Sequence, residues 1–208
     1  MENTSGEVSS GGMKKSDMLA ALVIGEVCAW LILAVFKNLR VDLPLVWALP
    51  VVLPILSLAG LSVAFFIGKK ISVLWQVAKF GLVGILNTLM DLGILNFLIF
   101  ISGIAEGLPF TVFKGASFSL AVINSYFWNK FWTFRGKGTA TGKEFIQFLL
   151  VSVTGFGINV GLASLVVNFV GPQFGLTKEL WANVGALAAV SLSMVWNFAG
   201  YKFIVFKG

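Results

Sequence analysis

Lys130-Phe131-Trp132-Thr133-Phe134-Arg135-Gly136 recurs as Lys202-Phe203-Ile204-Val205-Phe206-Lys207-Gly208, each time directly after an apolar stretch long enough to cross a membrane. Aligned at a shift of 72, Thr111–Gly136 and Asn183–Gly208 share eight identities in 26 positions, including Val112/Val184, Ala116/Ala188, Ser119/Ser191 and Leu120/Leu192. Upstream, Trp75–Phe100 and Lys143–Asn168 match more faintly at a shift of 68, through Phe80/Phe148, Leu82/Leu150, Val83/Val151 and Gly93/Gly161. A single loop insertion reconciles the two shifts. The pattern predicts a tandem repeat of a two-helix hairpin over about residues 75–136 and 143–208.

Composition assigns the class independently. With 58% hydrophobic and 12% charged residues, the chain lacks the polar surface that would coat a soluble domain of this size. A bilayer core of ~30 Å takes about 20 apolar residues per helix. Six stretches qualify, near Met18–Phe36, Leu43–Ile67, Val73–Ile101, Phe110–Trp128, Phe145–Val170 and Leu180–Ala199. The expected fold is an all-α integral membrane protein of six transmembrane helices, the last four forming the repeat. Residues 1–17 are a polar N-terminus, 18–70 carry two additional helices, and 73–208 form a four-helix domain. Lys14 and Lys15 resemble a signal peptide's basic region, but the 19 apolar residues that follow lack a small-residue cleavage site, so a retained signal anchor is expected.

Eleven of the 15 Lys and Arg residues fall on one side of such a topology, among them Lys69, Lys79, Lys130, Arg135 and Lys202. Positive-inside reasoning places that side, with both termini, in the cytoplasm of a multi-pass protein of the cell membrane. Because each repeat contains two helices, the copies enter from the same side. They form a parallel repeat rather than an inverted one.

Histidine is absent, Cys28 is the single cysteine, and no carboxylate cluster or Gly-rich phosphate loop stands at metal or nucleotide spacing. No catalytic residue, metal or cofactor is expected, and the chain reads as a non-enzyme. Its basic residues ring a membrane face, which suits anionic headgroups rather than nucleic acid.

Polar groups at bilayer depth are therefore the functional candidates, since an ionised side chain there costs ~2.5–3.5 kcal/mol and must find a partner or water. Asp91 lies mid-helix one turn after Asn87, on the same face, and the repeat places Asn159 at its equivalent position. Two such positions facing each other would form a polar patch inside an apolar bundle. Asp91 paired with Lys114 or an amide is equally compatible with interhelical glue. Asn124, Ser125 and Asn129 cluster near the end of the fourth helix, with Asn197 in the place of Ser125. Asn87, Asp91, Asn124, Asn129, Asn159 and Asn197 form a candidate polar track at bilayer depth.

Lys130, Arg135 and Lys202 are candidate ligands for a lipid phosphate, bordered by the aromatic interface residues Trp132, Phe134, Phe203 and Phe206. Aromatic belts and snorkelling cations also end many membrane helices without any ligand. Glu26 in the first helix is reminiscent of the lone Glu of small drug exporters. Those are about half this length, however, and Glu26 stands outside the repeat. Gly157 and Gly161, with Gly155 nearby, read as a small-residue packing face, and Pro44, Pro50 and Pro54 as bends in the second helix.

Phe80-Gly81-x-x-Gly84-x-x-Asn87, Asn124-x-x-x-x-Asn129-Lys130-Phe131-Trp132-Thr133-Phe134 and Tyr201-Lys202-Phe203-x-x-Phe206 resemble the GtrA-like family of small four-helix membrane proteins over about residues 73–208. Asn129, Lys130, Trp132 and Phe134 fill its Asn-(Arg/Lys)-x-Trp-x-Phe signature. The resemblance implies movement of a polyprenyl-phosphate-linked sugar across the lipid bilayer during synthesis of cell-envelope polysaccharide or glycolipid. Related domains are fused to, or work beside, polyprenyl-phosphate glycosyltransferases, so a membrane glycosyltransferase is an expected partner. The second copy departs from the signature, with Gly200-Tyr201 where the first has Trp128-Asn129, and helices one and two are additional to the usual four. The competing readings are a non-transporting subunit that organises a glycosyltransferase and a proton-coupled exporter. Four repeated helices make a small bundle, for which a homodimer is a natural assembly.

Overall fold

The computed structural model describes residues 12–39, 43–104, 107–136, 139–176 and 178–206. Arg40, Lys137 and Lys207, and the side chain of Lys114, lie outside the described residues. Among the described residues there are six α-helices and no strand: α1 Lys15–Leu39, α2 Leu49–Gly68, α3 Ser72–Ser102, α4 Gly107–Trp128, α5 Gly142–Ser164 and α6 Lys178–Gly200. Among the described residues, three segments are long and apolar enough to cross a membrane, Lys15–Lys37, Val46–Gly68 and Ser72–Ser102.

Local chemistry explains where these helices begin and end. Asp17 stands in the first turn of α1 and Lys37 in its last, each complementing the helix dipole. A 3₁₀ turn, Val46–Ala48, leads into α2, whose first turn accepts Pro50 because a missing N–H costs nothing there. Gly103, at φ +70°, closes α3 by donating to the Ile99 carbonyl at 2.8 Å. Thr141 caps α5, its hydroxyl accepting from the Glu144 amide at 3.2 Å.

The α-helical pattern gives way to π-helical turns at Asn129–Thr133 and Tyr201–Val205, and also at Leu165–Val170. In the first, the Phe134 amide donates to the Asn129 carbonyl at 2.9 Å. In the second, 72 positions later, Phe206 donates to Tyr201 at 2.8 Å. Such i→i+5 turns are rare and concentrate at functional positions.

The chain forms two compact units, Met1–Arg135 and Gly136–Gly208. In the first, α1 packs on both α2 and α3, and α3 on α4. Its core contains Ala21, Ile24 and Cys28 of α1, Leu61 and Phe65 of α2, Trp75, Val83 and Leu86 of α3, and Trp132. The two N-terminal helices are thus built into one unit with α3 and α4. Gly25 permits the α1/α2 crossing, since a Cβ there would lie 2.5 Å from Pro54 Cα and 2.7 Å from the Leu53 carbonyl.

In the second unit α5 packs on α6 around Phe148, Val151, Ala189, Tyr201, Val205 and Phe206. Close approach here occurs at Gly155, against Asn197, and at Gly200, against Val151. A Cβ at Gly157 or Gly161 meets nothing within 4 Å, so the small-residue packing expected at those two positions is not what joins α5 to α6.

Candidate functional site

Of the six polar residues expected to form the track, Asn87, Asp91, Asn124 and Asn159 are paired across helices. Between α3 and α4, Asn124 Nδ2 donates to Asn87 Oδ1 at 2.7 Å, and the Ser117 hydroxyl donates to Asp91 Oδ1 at 2.7 Å. Ser117 is fully buried, while Asn87, Asp91 and Asn124 are half-buried. The one-turn spacing of Asn87 and Asp91 presents both to α4, where Ser117 and Asn124 sit about two turns apart. Ser117 carried no sequence signal, because a serine in an apolar helix is indistinguishable from one that bonds its own backbone.

In the second unit Asn159 Nδ2 donates to the Ser193 hydroxyl at 3.3 Å. Asn197 packs against Gly155, its Oδ1 buried without a hydrogen-bond partner. One further tie was not anticipated. Ser152, which donates to the Phe148 carbonyl at 2.8 Å, lies 2.6 Å from the Tyr201 hydroxyl, and Tyr201 stacks on Phe148 at 4.4 Å between ring centroids.

The basic end of the first unit centres on an acid that sequence reading passed over. Asp17 is 2% exposed. Its carboxylate accepts from Lys79 Nζ at 2.5 Å, from Trp132 Nε1 at 2.9 Å, and from Arg135 Nη2 at 3.2 Å to each oxygen. The Lys79 ammonium also lies 4.5 Å from the Trp75 ring and 5.1 Å from the Trp132 ring, within cation–π range. Arg135 reaches Asp17 from a left-handed backbone, φ +49°, that a residue with a Cβ adopts at a cost. Three residues of this end hold buried oxygens without a hydrogen-bond partner: Gln76 Oε1, Asn129 Oδ1 and Thr133 Oγ1.

The proposed phosphate ligands differ in exposure. Lys130 is fully buried, its Nζ 5.8 Å from the Phe131 ring. The Arg135 side chain is 32% exposed while bound to Asp17. Lys202 is half-buried over Phe198 and Phe203, 5.6 Å from each ring. Of the aromatic residues expected at the interface, Phe203 is exposed. Trp132, Phe134 and Phe206 are buried, Phe134 beside Phe80 and Phe206 beside Phe148. The π-helical turns rotate these rings inward, which helical spacing alone does not reveal. Asn129, also buried, uses its amide to cap its own helix, donating to the Ser125 carbonyl at 2.9 Å. Glu26 accepts from Trp30 Nε1 at 2.7 Å on the same helix. Among the described residues no group of three or more His, Cys, Asp or Glu is placed to hold a metal.

Residues 79–206 match the family described as GtrA/DPMS, transmembrane domain. The chain is also 33% identical over 130 residues to the uncharacterized membrane protein YngA of Bacillus subtilis (strain 168), a match covering 62% of this chain and 78% of that protein. No solved structure matches the chain.

Proposed function

The chain belongs to the GtrA/DPMS transmembrane-domain family, and from that membership we propose that it translocates a polyprenyl-phosphate-linked sugar across the cell membrane for envelope polysaccharide or glycolipid synthesis. On this reading all six helices cross the bilayer, both termini are cytoplasmic, and the last four helices are a tandem parallel repeat. The π-helical turns recurring 72 positions apart support the repeat.

The observation that carries the functional reading is the pair of hydrogen bonds that join α3 to α4, Asn87–Asn124 and Asp91–Ser117. Amide, carboxylate and hydroxyl groups are the partners sugar hydroxyls require. Because these groups satisfy one another when no sugar is present, the desolvation cost of an empty track is removed. Asn159 with Ser193 supplies the same chemistry in the second unit. Arg135 in the first unit and Lys202 in the second are each partly exposed, and each offers a cation to a lipid phosphate. Buried Lys130 and Asn129 shape the helix end that carries Arg135.

Reconstitution in liposomes with a labelled polyprenyl-phosphate sugar tests this. The protein accelerates appearance of the label on the opposite leaflet, and Asp91→Ala slows it by about tenfold, the loss of ~1.4 kcal/mol. An unchanged rate in that variant would sink the proposal.

A second reading, a non-transporting subunit that organises a membrane glycosyltransferase, is favoured by one observation: Asp17 already neutralises cations at the basic end, as in a structural clamp. It predicts co-purification with a transferase that survives Asp91→Ala and fails when the loop after Arg135 is replaced.

A further inference from the structure

We infer that the cleft between α1, α2 and α3 seats the isoprenoid chain of a lipid phosphate. This rests on the translocation reading and adds the place of the tail to it. The cleft has a volume of about 490 Å³ and is walled by Cys28 of α1, Leu53 and Gly60 of α2, and Ala78, Ile85 and Leu89 of α3, with no charged side chain in its lining. All three walls belong to segments able to cross a membrane. Ser57 supplies the one hydroxyl of the lining, fewer than the two to four polar partners a water needs to persist in such a space, so the occupant is hydrocarbon.

The charge beside the cleft points to the tail of an anionic lipid rather than to bulk acyl chains. Ala78, at one end of the lining, adjoins Lys79, where Asp17, Lys79 and Arg135 together carry a formal charge of +1. From that level the lining follows α3 to Leu89, about 16 Å of helix rise. A chain lying there would leave its phosphate beside the cationic cluster, where Arg135 is partly exposed.

Gly60 lines the cleft. A Cβ there meets nothing within 4 Å, so close packing does not require this glycine. In the interior of a helix glycine costs about 1 kcal/mol relative to alanine.

The test is photo-crosslinking of the full chain in nanodiscs with a diazirine-bearing polyprenyl phosphate, the labelled peptides being mapped by mass spectrometry. Label falls on α1–α3 around Cys28, Gly60 and Ile85, and Gly60→Phe or Ile85→Trp reduces it by about tenfold, ~1.4 kcal/mol. Gly115→Phe, on α4 with equally open space, leaves it unchanged. Unlabelled polyprenyl phosphate competes and phosphatidic acid does not. Label outside the cleft, indifference to both cleft-filling variants, or equal competition by phosphatidic acid overturns the inference. Translocation measured on the same preparations separates the two ideas. Translocation without cleft labelling removes the tail site and leaves the function standing, whereas cleft labelling without translocation keeps the site and removes the function.

Discussion

Replacing Asp17 by alanine removes the one anion that compensates a buried ammonium. Lys79 and Asp17 have side-chain exposures of 2% and 3% and meet at 2.5 Å, so neither charge is relieved by solvent. Breaking such a pair by deleting one partner costs about 3–5 kcal/mol, because the other charge stays buried and uncompensated. Arg135, 32% exposed, adds only a solvent-screened share of about 0.2–1 kcal/mol. Asp17→Ala is therefore expected to destabilise the protein by roughly 3–5 kcal/mol, and Arg135→Ala far less. The double variant Asp17→Leu/Lys79→Met, with an apolar pair in place of the ions, recovers most of the loss, since well-packed hydrophobic replacements of buried ion pairs are often neutral or stabilising. Equilibrium unfolding in mixed detergent micelles, with protease protection of α1 as a second readout, measures all three. The reasoning is refuted if Asp17→Ala stays within about 1 kcal/mol of the parent, or if the double variant is no more stable than the single one.

Other outcomes follow from the same contacts. A double-mutant cycle on Asn87→Ala and Asn124→Ala is expected to return a coupling of about 0.6 kcal/mol, up to ~1.7, in unfolding experiments; zero coupling removes their hydrogen bond from the stability of the α3–α4 pair. Gly25→Leu, driven into the Pro54 backbone, destabilises by about 1–3 kcal/mol, whereas Gly84→Ala, which meets open space, is neutral or slightly stabilising, as a comparison of unfolding midpoints will show. Ser152→Ala removes the hydroxyl that meets Tyr201 at 2.6 Å and Tyr201→Phe removes the other; each is expected to cost about 1 kcal/mol, which unfolding of the two variants checks directly.

Helical class was legible because it follows from composition and from apolar run length, which act locally. The polar track was partly legible. Asn87, Asp91, Asn124 and Asn159 stand out because a polar side chain in an apolar run is expensive wherever the helix packs. Their partners Ser117 and Ser193 do not stand out, since serine can satisfy itself on its own helix. Asp17 was passed over for a different reason. It precedes the first apolar stretch, lies outside the repeat, and has an ordinary local role as an acid in the first turn of a helix. Its partners are 62, 115 and 118 residues away in the chain.

Apolar helices and the candidate polar positions were determined by the sequence alone, because hydrophobic transfer and backbone hydrogen bonding are satisfied within each segment. Only the tertiary structure decided which charges are buried, that Trp132, Phe134 and Phe206 turn inward, and that α1 and α2 join α3 around a cleft. Those outcomes depend on long-range contacts, where a carboxylate in one helix repays the desolvation of cations in two others, and local pattern carries no record of that pairing.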